Sequence, residues 1–150
     1  MLIILGDYLL LDKIDMKIIE LLRENSRLTN VEIAKKIKKS ETTVRQRIMK
    51  LIEKNIIKKF SIEVNPIIFG FNTIAYIGIN TNASKLLKVV RSLKKIDEIN
   101  SIATTTGAYM ILCKIWAENG VHLADIVDKI ENIDGVMEVY PSIVQENQKE

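Results

Sequence analysis

The sequence predicts an α+β protein in which a helical head precedes a second domain built on an antiparallel sheet. Apolar residues recur at the spacing of a helix over residues 11–54. From residue 72 onward, short β-branched stretches alternate with two further helical patterns. The charge also divides, because residues 1–60 hold 14 basic and 8 acidic side chains whereas residues 61–150 hold 8 and 11. We therefore expect two modules with different partners.

At 150 residues and 47% hydrophobic content, the chain is long enough for one ordinary domain or two small ones with buried cores. We place the head at residues 1–60, a hinge strand and linker at 61–72 and the second domain at 73–150. A basic head binds polyanions through counterion release, and the acidic second half is poorly suited to that task. DNA is therefore expected to meet the head only.

The first helix is expected to begin after Asp12, which caps it, and to end near Asn25. Asp15 falls in its first turn, where the helix dipole favours a carboxylate. Its apolar stripe must be buried against the helices that follow. The stripe consists of Ile14, Ile18, Leu21 and Leu22.

Two further capped helices follow in tandem. Thr29 and Glu32 have the spacing of a capping box, which predicts the start of the second helix. Ser40 is the expected cap of the third helix, and Asn55 suits a left-handed residue at its end. Two helices joined by so short a turn match a helix-turn-helix, whose second helix enters the DNA major groove. The apolar face of the third helix consists of Val44, Ile48, Leu51 and Ile52.

Positive charge is concentrated around this motif. Residues 35–59 contain eight Lys and two Arg against only Glu41 and Glu53. Basic helix faces are often simply solvated, but two caps, a short turn and concentrated charge together indicate a nucleic-acid-binding surface.

A strand or wing is expected after the third helix. Residues 56–64 are β-branched and roughly alternating, and Asn65-Pro66 then breaks the chain. With the three helices, this strand would complete a winged-helix-like head.

From residue 72 onward the predicted elements follow the order βαββαβ. This order is that of a ferredoxin-like domain, a four-stranded antiparallel sheet with both helices on one face. The first and third strands are central in that topology, and Pro141 lies in the last strand, which is an edge. Strands are predicted at residues 72–80, 98–106, 109–117 and 136–144, and helices at 83–95 and 121–132.

Both faces of the third predicted strand are apolar. Alternation places Tyr109, Ile111, Cys113 and Ile115 on one face and Met110, Leu112 and Trp116 on the other. Two helices cover only one face of a sheet, and a large bare apolar face is rare on soluble monomers. We therefore expect a second copy of the chain to pack against the uncovered face, making at least a dimer.

The sequence offers little for catalysis, a metal or a membrane. Cys113 is the only cysteine and His122 the only histidine, so no intrachain disulfide forms and no Cys/His/carboxylate cluster has metal spacing. The sequence contains neither a Gly-rich phosphate loop nor a nucleophile with a base partner. The opening MLIILGDYLL is too short for a membrane span and lacks the basic start of a signal peptide. We expect a cytoplasmic, non-enzymatic protein without a cofactor.

An ordered set of residues along the chain matches a known family. The set comprises Leu11-Asp12 with Asp15, Arg27, Glu32-Ile33-Ala34, Ser40 with Thr43-Val44, Arg47-Ile48, Leu51, Ile56-Ile57, Asn65-Pro66, Gly70, Gly107 with Tyr109, and Gly135-Val136. Through these residues the chain resembles the leucine-responsive regulatory protein and asparagine-synthase regulator (Lrp/AsnC) family over nearly its whole length. The resemblance implies transcription regulation by homodimers that assemble further, commonly to octamers. It also implies that amino acids or related small molecules bind between dimers at the second domain.

The resemblance makes residues 41–54 the recognition helix. Arg45 and Gln46 are able to reach guanine and adenine edges, lysines more commonly hold phosphates, and Arg47 matches a phosphate or packing residue. The DNA-contact candidates are Arg27, Lys38, Lys39, Ser40, Thr42, Thr43, Arg45, Gln46, Arg47 and Lys50. The effector-loop candidates are Thr106, Gly107, Ala108, Tyr109 and Met110.

The sequence departs from the family pattern at two places. Lys38 and Lys39 stand in a turn where the family usually has a Gly and an apolar residue, so we expect this turn to be strained or rearranged. Met110 replaces the Asp of the family's Gly-x-Tyr-Asp loop, a natural partner for an effector's ammonium group. We therefore expect either no effector or one more apolar than a free amino acid.

Two other functions remain open. Siroheme decarboxylase subunits share this architecture, which would make the chain part of an enzyme. The lysine excess at residues 35–59 would equally serve an architectural protein that coats DNA without strong sequence preference. A promoter-specific reader keeps a large affinity ratio over bulk DNA in a salt titration, whereas a coating protein does not.

Overall fold

The structure is a computed structural model that describes residues 11–146. The chain divides between Glu63 and Val64 into two compact units. Within residues 11–63, the first unit contains three helices, α1 (Lys13–Glu24), α2 (Asn30–Ile37) and α3 (Glu41–Glu53). None of the helices within residues 11–146 is both long and apolar enough to cross a bilayer.

The helices begin where the sequence predicts because side chains cap their first turns. Asp12 Oδ1 accepts hydrogen bonds from the backbone N–H groups of Ile14 and Asp15 at 2.8 and 2.9 Å. The N–H of Glu32 donates to Thr29 Oγ1 at 3.2 Å, and the N–H of Thr29 donates to the Glu32 carboxylate at 2.7 Å. This pair completes the predicted capping box. The caps satisfy N–H groups that a helix start otherwise leaves unpaired.

The three helices enclose a small apolar core. Its buried members are Ile18, Leu21, Leu22, Ile33, Ala34, Val44 and Leu51. Ile52, which the sequence placed on the same face of α3, is instead 47% exposed, so that prediction is wrong. Because successive helical residues are about 100° apart, Ile52 lies well away from the direction in which Leu51 enters the core.

The turn between α2 and α3 contains a left-handed residue that is not glycine. Lys38 has a φ of 53°, and the N–H of Lys39 returns to the carbonyl of Ala34 at 3.0 Å. A side chain in this backbone region costs about 1 kcal/mol, so the strain expected from the missing glycine is present. Asn55, which follows α3, has a φ of 55° and confirms the predicted left-handed end of that helix.

Residues 56–64 form no strand in this structure, and the predicted wing is therefore not observed. A strand needs a hydrogen-bonded neighbour, and the described part of the chain, residues 11–146, provides none for this segment. The N–H groups of Ile56 and Ile57 instead donate to the carbonyl of Leu51 at 2.9 and 3.0 Å. The segment then runs without regular structure to a 3-10 turn at Pro66–Phe69.

The second unit contains the predicted elements in the predicted order. Strands β1 (Thr73–Thr81), β2 (Ile99–Thr104), β3 (Ile111–Ala117) and β4 (Val136–Ile143) form one antiparallel sheet in the order β2-β3-β1-β4. A 3-10 turn at Ala83–Lys85 leads into α4 (Leu86–Leu93), and α5 (Gly120–Glu131) joins β3 to β4. Strands β1 and β3 are central and Pro141 lies on the edge strand, as predicted.

Both helices of this unit cover one face of the sheet. Alternate residues of β1 and β3 enter the core below them, with Ile77 opposite Cys113 and Ile79 opposite Ile111. Burial raises the pKa of the Cys113 thiol to about 11, so the thiol is protonated at neutral pH. The helices contribute Val89, Leu93, Leu123, Ile126 and Ile130 to this core.

The two residues before β3 break the predicted alternation. The ring of Tyr109 lies over Gly78, on the face of β1 opposite the helices, so closely that a Cβ there would be 2.5 Å from Tyr109 Cγ. The side chain of Met110 instead packs against the core beneath the helices. The predicted orientations of Tyr109 and Met110 are therefore wrong, because regular strand pairing begins only at Ile111.

The sheet face opposite the helices, which we call the open face, is apolar but partly covered by its own side chains. Tyr76 and Leu112 remain 47% and 38% exposed on it. Phe71 contacts Trp116 at a ring-centroid distance of 5.9 Å. Lys114 lies in the middle of the face, with Nζ 5.8 Å from the centroid of the Tyr76 ring.

Candidate nucleic-acid interface and effector loop

Helix α3 presents a polar surface opposite its buried side. Thr42, Arg45 and Gln46 are exposed there, and their spacing of three and four residues places them beside one another. Met49 follows Arg45 by four residues and is 54% exposed, so it belongs to the same surface. The sequence-based candidates omit Met49, although its helical spacing from Arg45 was a sufficient signal.

The start of α3 is fixed by two hydroxyl groups. The N–H of Thr43 donates to Ser40 Oγ at 3.1 Å, and the two hydroxyl oxygens lie 2.7 Å apart. Ser40 is thus the N-cap that the sequence predicts. Because both hydroxyls are already hydrogen-bonded, their first role is to hold the helix end that carries Thr42.

Arg47 is turned towards α1 rather than towards the exposed surface of α3. Its Nη1 donates to Asp15 Oδ1 at 3.0 Å and also contacts the carboxylate of Asp12. The hydrogen bond from Arg47 holds the pKa of Asp12 below its usual value, and the bonds to Asp12 and then Asp15 raise the pKa of Arg47. Of the two roles that the sequence left open for Arg47, this geometry favours packing.

The other cations around α3 form no ion pair with a carboxylate within the described head. Between residues 11 and 63, ion pairs join only Lys17 to Glu20 and Arg47 to its two aspartates. The exposed cations that form no ion pair are candidates for contacts with phosphates. They are Arg27, Lys35, Lys36, Lys38, Lys39, Arg45, Lys50, Lys54, Lys58 and Lys59.

The predicted effector loop is divided between solvent and core. Thr106, Gly107 and Ala108 are exposed, whereas the ring of Tyr109 lies 5.3 Å from that of Tyr140. Met110 cannot stand in for a ligand-binding aspartate, because its side chain points into the core. Of the predicted effector loop, Thr106, Gly107 and Ala108 are therefore accessible to a ligand, whereas the side chain of Met110 is not part of that exposed surface.

A carboxylate that the sequence analysis did not single out lies near this loop. Asn80 joins the two, since its Oδ1 accepts from the N–H of Met110 at 3.1 Å and its Nδ2 donates to Glu138 Oε2 at 3.3 Å. A hydrogen bond with Glu138 also raises the pKa of Tyr140. Glu138 pairs across β1 and β4, far from Met110 in sequence, so spacing alone gave no sign of it.

The only histidine is held by hydrogen bonds at the start of α5. Its Nδ1 accepts from the N–H of Glu118 at 3.3 Å, and Nε2 lies 3.4 Å from Glu98 Oε1. Across residues 11–146, no three His, Cys, Asp or Glu side chains are grouped so as to hold a metal ion. His122 thus contacts Glu118, which precedes α5, and Glu98, which precedes β2.

These features define a helix-turn-helix protein with a second, ferredoxin-like domain. A family model described as winged helix-turn-helix DNA-binding matches residues 11–58, and one described as Lrp/AsnC ligand binding domain matches residues 74–150. The chain belongs to the Lrp/AsnC family of transcription regulators, as its residues predict.

Relatives and solved structures agree with this assignment. The chain is 39% identical to the HTH-type transcriptional regulator LrpA of Pyrococcus horikoshii over 141 residues, covering 93% of this chain and 100% of that protein. It is 36% identical to the HTH-type transcriptional regulator Ptr1 of Methanocaldococcus jannaschii over 130 residues, covering 84% and 88%. Escherichia coli AsnC matches with a TM-score of 0.84 and 29% identity, covering 94% and 96%. A Neisseria meningitidis transcriptional regulator in complex with L-Met matches with a TM-score of 0.86 and 26% identity, covering 94% of each chain.

Proposed function

We propose that the chain regulates transcription by binding paired DNA half-sites as a homodimer, with α3 as the recognition helix. The observation that carries the proposal is the exposed surface of α3, where Thr42, Arg45 and Gln46 lie side by side. Apart from Arg47, the surrounding cations form no ion pairs within the described head. A capped helix with readable side chains amid free positive charge is the arrangement that enters a major groove.

The residues around α3 divide into three roles. Arg45 and Gln46 read guanine and adenine edges, and Met49 is placed to contact a thymine methyl group. Ser40 and Thr43 hold the start of the helix, which positions Thr42, and Arg47 holds the helix on α1. The phosphate contacts are Arg27, Lys38, Lys39 and Lys50.

The open face of the second unit supports a homodimer. Tyr76 and Leu112 expose apolar surface at the centre of a sheet whose other face is filled by helices. Two copies packed sheet to sheet give a two-fold axis, and a two-fold protein reads half-sites about one helical turn of DNA, or a multiple, apart. By family resemblance the dimers assemble further to an octamer. We also propose that residues 61–72 act as the hinge between the two units.

The effector, if one binds, is not a free amino acid. The Neisseria meningitidis structure contains L-Met, so the fold accommodates such ligands in that protein. In this chain the position of the ammonium-binding aspartate is occupied by Met110, whose side chain lies in the core. Calorimetry against the twenty amino acids is expected to give no heat, and clear binding at millimolar concentration or tighter would contradict this proposal.

The function is proposed to be regulatory and cytoplasmic rather than enzymatic. The alternative function is that of an architectural protein that coats DNA. It is supported by the exposed Lys35, Lys36, Lys58 and Lys59, which add positive charge outside the recognition surface. A coating protein binds any duplex equally, so its affinity for a selected site and for bulk DNA would fall together with salt.

Fluorescence anisotropy with a selected site and a random duplex tests the proposal. Arg45→Ala is expected to cost about 1–3 kcal/mol on the selected site and little on the random one, because Arg45 reads a base. Lys50→Ala is the matched control, since a phosphate contact weakens binding to both duplexes equally. Equal losses on both duplexes for Arg45→Ala would make it a phosphate contact, and equal wild-type affinity for the two duplexes would favour the coating alternative.

A further inference from the structure

A cleft of about 450 Å³ lies in the head between α1 and the chain that follows α3. Its lining residues come from α1 and from residues 56–61, so α3 contributes none of them and the cleft lies within the first unit. The apolar lining residues are Ile19, Leu22, Ile56, Ile57 and Phe60. All but Phe60 belong to the apolar core of the head or pack against it. The cleft therefore opens onto the edge of that core, and its volume is in the range of ligand-binding clefts.

Positive charge lies on both sides of the cleft. Arg23 comes from α1, and Lys58 and Lys59 come from the segment across from it. All three residues are exposed, and among residues 11–63 none of them forms an ion pair. Among the described residues, no carboxylate lines the cleft. A ligand in the cleft thus meets apolar surface flanked by cations that no acidic side chain of the cleft neutralises.

The segment that forms one wall of the cleft also offers backbone groups to a ligand. Residues 58–63 have no regular secondary structure. Within residues 11–146, no backbone hydrogen bond joins their N–H or C=O groups to another backbone group. An extended peptide pairs with such a segment through main-chain hydrogen bonds while its side chains fill the recesses beside it. This wall therefore favours a polypeptide as the ligand.

The apolar lining, the flanking cations and the open backbone together fit one class of partner. Duplex DNA would neutralise the cations but leave the apolar lining, including the half-exposed Phe60, in contact with water. We propose that the cleft is a docking site for an extended acidic segment of another protein, in which Asp or Glu residues are interspersed with large apolar ones. The apolar side chains of that segment enter the cleft, and its carboxylates pair with Arg23, Lys58 and Lys59.

This inference goes beyond the proposed function because it adds a protein partner to DNA binding. The cleft shares no residue with the exposed surface of α3 formed by Thr42, Arg45, Gln46 and Met49. A head that holds DNA through α3 therefore keeps the cleft available for a second macromolecule.

Selection from a displayed library of random peptides supplies the probe. The full-length chain is used in the presence of duplex DNA, which occupies the cations around α3. The selected peptides are expected to share Asp or Glu residues spaced by Leu, Ile or Phe. Selected peptides that are apolar without carboxylates, or that share no pattern, would overturn the inference.

Fluorescence anisotropy with a labelled peptide from this selection locates its binding surface. Phe60→Ala and the double variant Arg23→Glu with Lys58→Glu are each expected to weaken binding by about tenfold, since one removes apolar contact and the other reverses the flanking charge. Lys35→Glu with Lys36→Glu, on α2, carries the same charge change outside the cleft and is expected to bind within about twofold of the wild type. Equal losses in the two double variants would mean general attraction to a basic head and would overturn the inference.

A charge-swapped peptide gives the matching gain. With Lys in place of each Asp and Glu, the peptide is expected to bind Arg23→Glu with Lys58→Glu more tightly than it binds the wild type. Because this result is a gain of binding, a variant that failed to fold could not produce it. Equal or weaker binding to the double variant would overturn the inference.

Competition and sedimentation separate this partner from other occupants. Displacement of the acidic peptide by duplex DNA would place it on the cations around α3, and dissociation of a wild-type dimer by Phe60→Ala would assign the cleft to a second copy of the chain. Either result would overturn the inference. Loss of DNA site preference in the wild type would instead contradict the proposed function, and it would leave the effects of the variants on peptide binding readable.

Discussion

Arg47→Met removes the guanidinium that joins α3 to the first turn of α1. Methionine keeps an unbranched side chain that favours a helix, so the change isolates the charged group. It leaves Asp15, whose side chain is 12% exposed, without the bond that Arg47 donates at 3.0 Å. A hydrogen bond between charged groups contributes about 1.5–3 kcal/mol, and the 30% exposure of the Arg47 side chain places the expected loss near 1–2 kcal/mol.

Amide hydrogen exchange in α1 and α3 measures this loss directly. The only tryptophan, Trp116, lies in the second unit, so its fluorescence does not report on the head. Protection factors in α1 and α3 are expected to fall by roughly five- to thirtyfold in Arg47→Met, which corresponds to the loss of free energy. Lys50→Met, on the same helix and without an ion pair among residues 11–63, is the control and is expected to leave protection unchanged.

The salt dependence of DNA binding separates a positioning residue from a phosphate contact. Arg47→Met is expected to bind more weakly at every salt concentration with the same slope of log K against log salt as the wild type. Lys50→Met is expected to lose about one unit of slope because a phosphate contact disappears. If Arg47→Met instead kept its amide protection and lost about 0.9 of slope, Arg47 would be a phosphate contact and the reasoning from its ion pairs would be refuted.

Three further predictions concern the second unit. Lys85, in the 3-10 turn before α4, and Lys88, in α4, hold the pKa of Asp134 at about 2 against 3.8 in the unfolded chain. The stabilising effect of Asp134 is therefore complete above pH 4 and is lost as pH falls towards 2, which an NMR titration of its carboxyl carbon measures. Cys113 is buried with a pKa raised to about 11, so a thiol reagent at pH 8 is expected to react only after unfolding. Gly78→Ala is expected to cost about 1–3 kcal/mol in urea unfolding by displacing the Tyr109 ring, and less in a Tyr109→Ala background.

Each of these three predictions would be contradicted by a specific result. A midpoint near 4 for Asp134 would mean that the lysine contacts do not persist in solution, and Lys85→Met is expected to raise the midpoint as a check. Rapid labelling of the native thiol would show that the core around Cys113 opens readily. An equal cost of Gly78→Ala with and without the tyrosine ring would remove Tyr109 as its cause.

Local hydrogen bonding explains why the helix starts were predictable. The caps at Asp12, Thr29 and Ser40 depend on residues only two or three positions away, which the sequence displays directly. The order of helices and strands along the second unit was predictable too, because the spacing of apolar residues within each short segment shows which element it forms. Residues 56–64 have the composition of a strand, but pairing requires a neighbour that composition does not supply.

The features that the sequence did not predict depend on contacts between residues far apart in the chain. Arg47 meets partners 32 and 35 positions earlier in the chain, so its role became clear only from the packing of α3 on α1. The orientation of Met110 depended on where the pairing of β3 begins, because a shift of one residue reverses which face each side chain takes. The candidate DNA surface was predictable because helical spacing alone orders Thr42, Arg45 and Gln46.

Footprinting on duplexes selected from a random pool tests most directly whether two copies of α3 read paired half-sites. Two protected segments of related sequence are expected, with centres about 10–10.5 base pairs or a multiple apart, and both are expected to be lost in Arg45→Ala. Selection that returned no shared sequence, or protection that spread evenly along the duplex, would contradict this expectation.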